Sequence, residues 1–256
     1  MTLPSSSRTA VQGQIPCTAW DGRTVELVAL LGITLLLNLP LLLTGMQVGD
    51  LAYSRSAVAS GEWWRLITHP FIHVSRYHLI LDGVAFALLY HGLHEANRSH
   101  RLATVGAAAA GSLIIACLAS PLIATRGLCG LSGVAHGLMA VSALETVAAR
   151  NLTTRTRRIA AIAFAAVVAK CAIECVAGTA FFAQLHPGDV GIPILECHAG
   201  GVLGAIVWLG FAKRWERRRR NRTVCDRFAL FTKPHVDSQS AQASPAQCRS
   251  TASCPE

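Results

Sequence analysis

Charge is what this sequence has least of. Aspartate, glutamate, lysine and arginine make up 14% of its 256 residues, whereas a soluble domain carries about a quarter. That shortfall excludes an ordinary water-soluble globule. Paired metal motifs are missing as well. The nine cysteines (Cys17, Cys117, Cys129, Cys171, Cys175, Cys197, Cys225, Cys248 and Cys254) form no CxxC pair of zinc spacing. No H-E-x-x-H run occurs, which counts against a metal-binding protein. A cleavable leader pattern is also absent. Met1–Arg23 is polar, has no small-residue cleavage site, and runs into an apolar stretch too long for a signal-peptide core. The first span is therefore expected to stay as a helix.

Apolar sequence is what the chain has in quantity, at 52% hydrophobic residues and a mean hydropathy of +0.42. Six runs approach the about 20 residues needed to cross a bilayer: Thr24–Gly45, Tyr77–Glu95, Leu102–Leu122, Leu131–Ala149, Ile159–Ala180 and Cys197–Lys213. The expected fold class is an all-α polytopic membrane protein, one bundle of six transmembrane helices. On this reading residues 1–23 are a cytoplasmic N-terminal segment, 24–213 the membrane domain, and 214–256 a basic and then disordered cytoplasmic tail. Asn38 and Pro40 predict a kink or an early end in the first span.

The net charge of +9 acquires meaning once the residues are placed. With the N-terminus inside, the cytoplasmic segments hold Arg8, Arg23, Arg98, Arg101, Arg150, Arg155, Arg157, Arg158 and the C-terminal cluster, against Arg55, Arg65, Arg76 and Arg126 outside. That asymmetry puts both termini in the cytoplasm. The basic run Lys213–Arg222 then meets anionic lipid headgroups rather than nucleic acid. The loop Met46–Arg76 mixes Trp63, Trp64, Phe71 and Ile72 with Arg65, His69 and His73, which suits a segment lying in the headgroup region.

Polar residues inside apolar spans are costly and face the bundle interior. His78 and Asp82 share a helix face at i,i+4, as do Ser132 and His136, and Lys170 and Glu174. The last pair most simply neutralises itself, with a functional role as the alternative. Ser132 is flanked by Gly130 and Gly133, which leave bare backbone beside its hydroxyl for a substrate carbonyl to approach. At a helix start, unpaired N–H groups and the positive dipole end would face that carbonyl, the material of an oxyanion hole. The alternative is a Gly-Ser turn with Ser132 as a plain N-cap. His198 opens the last span at the same depth, beside small-residue faces (Gly200-x3-Gly204 and Gly201-x3-Ala205) that favour close helix contact. A hydroxyl needs a base to become a nucleophile, and histidine is the usual one. Cys129 and Cys197, near Ser132 and His198, are candidates for a disulfide.

These features together resemble the rhomboid intramembrane serine proteases. Trp64-Arg65 resembles the family's first-loop motif, and Thr68-His69-Pro70-Phe71-Ile72-His73-x4-His78 its loop-to-helix-two signature. Gly130-Leu131-Ser132-Gly133 is similar to the G-x-S-G nucleophile motif, and His198-x2-Gly201 to the helix-six base motif. The stretch covered is Gly61–Lys213. His136-Gly137 further resembles the rhombosortase branch, thought to process secreted proteins with a C-terminal GlyGly-hydrophobic-basic tail. The resemblance implies Ser132 as nucleophile, His198 as general base and His78 as an oxyanion donor. It implies a multi-pass protein of the bacterial inner membrane, membrane-anchored protein substrates, and no metal or organic cofactor. Asp82 departs from the pattern, which holds a donating asparagine there. Asp82 either donates as a protonated acid, orients His78 or His136, or marks a weakened enzyme. Where many rhomboids carry a tyrosine stacked beside the base, this chain has His136, which can pack similarly. Two rivals stand beside the protease. One is an inactive rhomboid-like binder of membrane clients. The other is a metal site or transporter built from His69, His73, His78, His91, His136 and His198.

Overall fold

The structure is a computed structural model and describes residues 21–181, 183–185 and 187–231; side chains are described up to Asn221, Ala183 apart. The polar N-terminal segment before Asp21 and the tail Ser238–Glu256 lie outside the described residues. By its contacts the chain divides into two units, Met1–Ala212 and Lys213–Glu256. The described residues are helical, with no strand beyond an isolated bridge between Tyr53 and Leu128.

Each of the six apolar stretches falls on a helix. The first begins at α1 (Gly22–Leu37), where the Asp21 carboxylate accepts from the Thr24 N–H at 2.6 Å. It breaks at Asn38, as the Asn-Leu-Pro sequence predicts, and α2 (Leu39–Thr44) follows with proline in its first turn. Asn38 is buried and does more than interrupt. Its amide donates to Thr34 O and Phe71 O and accepts from His73 N, tying the break to the following loop.

That loop is folded rather than open. It contains α3 (Arg55–Ala59) and α4 (Arg65–Thr68) with short 3₁₀ turns. Arg65 is buried and donates to Glu62 Oε2, Gly49 O and Ala52 O, so it serves as the organiser of the loop. Trp63, Trp64 and Ile67 point outward, at 66, 50 and 74% exposure, which suits a headgroup-region segment.

The helices α5 (Arg76–His91), α6 (Arg98–Ala119), α7 (Ile123–Arg126), α8 (Ser132–Ala148), α9 (Thr154–Ala177) and α10 (Glu196–Phe231) complete the order. Of these, α6 and α9 are by themselves long and apolar enough to cross a membrane, and the pair Arg65–Phe71 with α5 makes a third span if taken together across its 91° bend. Leu36, Leu88 and Val176 are largely exposed, as lipid-facing side chains would be.

Small residues set the packing. A side chain at Gly111 would strike the backbone of Gly200 and Gly204, and one at Gly137 would come within 2.6 Å of Gly201 O. Helices α6, α8 and α10 thus meet backbone to backbone. Larger apolar residues, including Phe86, Leu131, Val134, Leu138 and Val141, fill the core beside them. Arg101, read above as a cytoplasmic-side charge, is in fact buried. Its guanidinium grips Glu26 of α1 at 2.7 to 3.0 Å, and Tyr90 OH of α5 donates to the same carboxylate at 2.6 Å. Burial of two charges is tolerated because each is paired and hydrogen-bonded.

Candidate active site

Ser132 is the first residue of α8, and no side chain caps that helix. Its first-turn N–H groups therefore remain for an incoming acceptor. The turn before it needs glycine. Gly130 has φ +102°, and a Cβ there would lie 2.9 Å from His78 Cε1 and 3.1 Å from Asp82 Oδ2. Gly130 N–H donates to His69 O at 3.2 Å, so this amide is already used and is not a free oxyanion donor. Leu128 exchanges two backbone hydrogen bonds with Tyr53, at 2.9 and 3.1 Å, pinning the same turn to the folded loop.

Ser132, His198, His78, Asp82, His136 and Glu174 all line one cavity of about 590 Å³. The Ser132 hydroxyl is 3.9 Å from Cys197 Sγ, its hydrogen-bond partner among the described residues. No direct bond from Ser132 to the His198 ring is formed; catalytic hydrogen bonds are often long before substrate arrives. Gly133, the residue after Ser132, packs against Gly201, three residues after His198. This contact sets how far apart the two side chains stand.

The surroundings of His198 hold the main departure from the sequence reading. Its Nδ1 lies 2.8 Å from Glu174 Oε2, with both groups buried. The other oxygen, Oε1, accepts from Lys170 Nζ at 2.7 Å and from Phe181 N–H at 2.9 Å. Lys170 and Glu174 are thus not a self-contained pair. Lys170 also meets His136 Nε2 at 2.9 Å, and His136 Nδ1 meets Ser132 O at 2.7 Å. Ammonium groups only donate, so His136 Nε2 accepts and its Nδ1–H donates to the serine carbonyl. A carboxylate only accepts, so His198 gives its Nδ1–H to Glu174, and in the neutral ring Nε2 is then the acceptor. The two imidazoles stack, with centroids 4.1 Å apart and planes 17° from parallel, as expected of His136.

Asp82 sits elsewhere. Its Oδ2 faces His78 Nε2 at 3.2 Å and His73 Nε2 at 3.5 Å, and the two rings meet edge to face. It therefore accompanies His78 and His73, not His136. Several of these buried atoms, both His73 nitrogens and Asp82 Oδ2 among them, lack a well-formed hydrogen bond. Cys129 and Cys197 are free thiols, so the candidate disulfide is not formed. Cys129, in the loop before α8, is pushed up to about 11, chiefly by burial. His136, Glu174 and His198 converge closely enough to hold a metal ion, but the Lys170 ammonium already supplies the positive charge at that point.

Residues 60–213 match the rhomboid domain family. The chain belongs to the rhomboid family. No curated protein and no solved structure matches it. Rhomboids are in general intramembrane serine proteases acting on membrane protein substrates, and this rhomboid is accordingly an integral membrane protein with a helical-bundle fold. Sequence reasoning missed the contact of Glu174 with His198. The available signal was an acid placed inside a span, where ionisable residues mark function by default.

Proposed function

We propose that this rhomboid is an active intramembrane serine endopeptidase that cleaves transmembrane or C-terminal anchor segments of membrane-bound proteins. Ser132 Oγ attacks the scissile carbonyl carbon while His198 Nε2 takes its proton. The tetrahedral oxyanion is met by the uncapped N–H groups at the start of α8, with His78 as an additional donor. Collapse breaks the C–N bond, His198 returns the proton to the leaving nitrogen, and water releases the acyl group by the same steps in reverse. The observation that carries this reading is the contact between His198 Nδ1 and Glu174 Oε2. With Nδ1–H given to that carboxylate, the neutral ring has Nε2 as its acceptor, in the cavity that Ser132 and His198 both line.

The proposal extends to the arrangement in the membrane: six crossings, both termini in the cytoplasm of a bacterial inner membrane, and the basic run Lys213–Arg222 on anionic headgroups. His136-Gly137 supports the rhombosortase branch and GlyGly-type sorting tails as substrates. An inactive client binder is the second reading, favoured by the Ser132–Cys197 contact and by a carboxylate beside the nucleophile turn.

Labelling of the detergent-solubilised protein with a fluorophosphonate probe separates the two. The protease reading expects wild type to label and Ser132→Ala and His198→Ala to be silent. Asp82→Asn should label faster, because an amide replaces a carboxylate near the developing oxyanion. A folded wild type that does not label sinks the protease reading and moves the client binder ahead.

A further inference from the structure

Resting on that protease reading, we infer that Glu174 is a positioning residue that completes a Ser132–His198–Glu174 relay, with Lys170 fixing which way the carboxylate faces. Three observations on three helices converge on this. First, Glu174 is 1% exposed, and both of its oxygens are engaged: Oε2 with His198 Nδ1, Oε1 with Lys170 Nζ and Phe181 N–H. A carboxylate is the one group that accepts on both sides. Second, His198 has no other partner for Nδ1, so its tautomer is set by Glu174 alone among the described residues. Third, the chain of bonds closes on the nucleophile's own backbone, from Lys170 to His136 to Ser132 O, and His136 stacks on His198. The ring of contacts holds base and nucleophile in one frame.

The same geometry says what an amide would do. In Glu174→Gln the two donors on one side, Lys170 and the Phe181 N–H, capture the amide oxygen. The NH₂ group is left facing His198 Nδ1, which must then accept. The imidazole proton moves to Nε2, in the cavity that Ser132 also lines, and the base is lost. A self-neutralising Lys170–Glu174 pair predicts something different: removal of either partner should be about equally harmful.

The test measures fluorophosphonate labelling of full-length protein in detergent, resolving kinact from KI, for wild type, Glu174→Gln and Lys170→Met. For Glu174→Gln, kinact is expected to fall by about 10³-fold or more, with KI held within about threefold. Its residual labelling should rise in proportion to hydroxide above about pH 9, since the serine proton then has to leave to solvent. Lys170→Met should lose about tenfold or less, because Glu174 keeps its bonds to Phe181 and His198. Equal losses in the two variants, or a Glu174→Gln loss that is constant across pH, would overturn the relay and return the pair to a structural role. Absence of labelling in a folded wild type fails the protease reading itself, and the relay with it.

Discussion

Gly201→Ala offers the sharpest test of how the site is spaced. A Cβ built at Gly201 lies 2.6 Å from the carbonyl carbon of Gly133 and 2.9 Å from Ser112 Oγ, and it meets Gly133 O more closely still. Carbon atoms rest at about 3.5–4.0 Å, so α8 and α10 must separate by about 1 Å. The Ser112 hydroxyl can rotate aside, but Gly133 cannot yield locally, because its obstructing atoms are backbone. Overpacking of this kind costs about 1–3 kcal/mol, and a displacement of about 1 Å at reacting groups costs about 10²-fold in rate. Gly133 and Gly201 directly flank the Ser132 and His198 turns, so the displacement falls where it matters. The expected outcome is a folded protein with a lowered melting temperature and fluorophosphonate labelling slowed about 10²-fold. Gly210→Ala, where no atom lies within 4 Å, is the control. Wild-type labelling by Gly201→Ala would refute the claim that this contact sets the spacing of the two side chains.

Two further predictions concern stability. Arg101→Met leaves Glu26 buried with only Tyr90 and a 3.7 Å contact to Arg98, and should cost about 3–5 kcal/mol in denaturant unfolding; pairing it with Glu26→Gln should recover much of that loss, and no recovery would argue against a stranded charge. Burial holds His69, in the folded loop, down to about 4, below its ordinary value of about 6.5. The unfolded chain therefore binds a proton that the folded chain refuses, so stability is full above about pH 6.5 and falls by about 3 kcal/mol as pH drops towards 4. Thermal melts across this range should show a clearly flatter pH dependence in His69→Gln; identical profiles would remove His69 as the cause.

Much of the fold was legible because bilayer physics leaves few choices. Apolar runs of sufficient length fall on helices, Asn38-Leu39-Pro40 ends α1, and glycines at 111, 137, 200, 201 and 204 mark where helices touch. Ser132 at a helix start, in one cavity with His198, was readable from the glycines around the serine and the depth of both residues. What could not be read is how buried polar atoms divide their partners. An i,i+4 Lys-Glu spacing shows that two charges can meet, but not that the second carboxylate oxygen turns to another helix. The burial of Arg101 could not be read, because a pattern of charges along a chain does not reveal an acid 75 residues earlier. Asp82 had several candidate partners at one helix depth, and only the packing of the loop put His73 beside it.

The tether between the first loop and the nucleophile turn is made chiefly of main-chain bonds, Tyr53 with Leu128 in both directions and Gly130 to His69, beside one side-chain contact from Gln47 to Cys129. Such bonds are indifferent to which side chains the residues carry, but not to how many residues separate them. Side chains such as Arg65 and Thr68 hold the loop's own shape, whereas its hold on the serine turn depends on its length between Tyr53 and His69. A deletion of one residue there would act on Gly130 and the serine turn at a distance, as a ruler cut short misplaces its far mark.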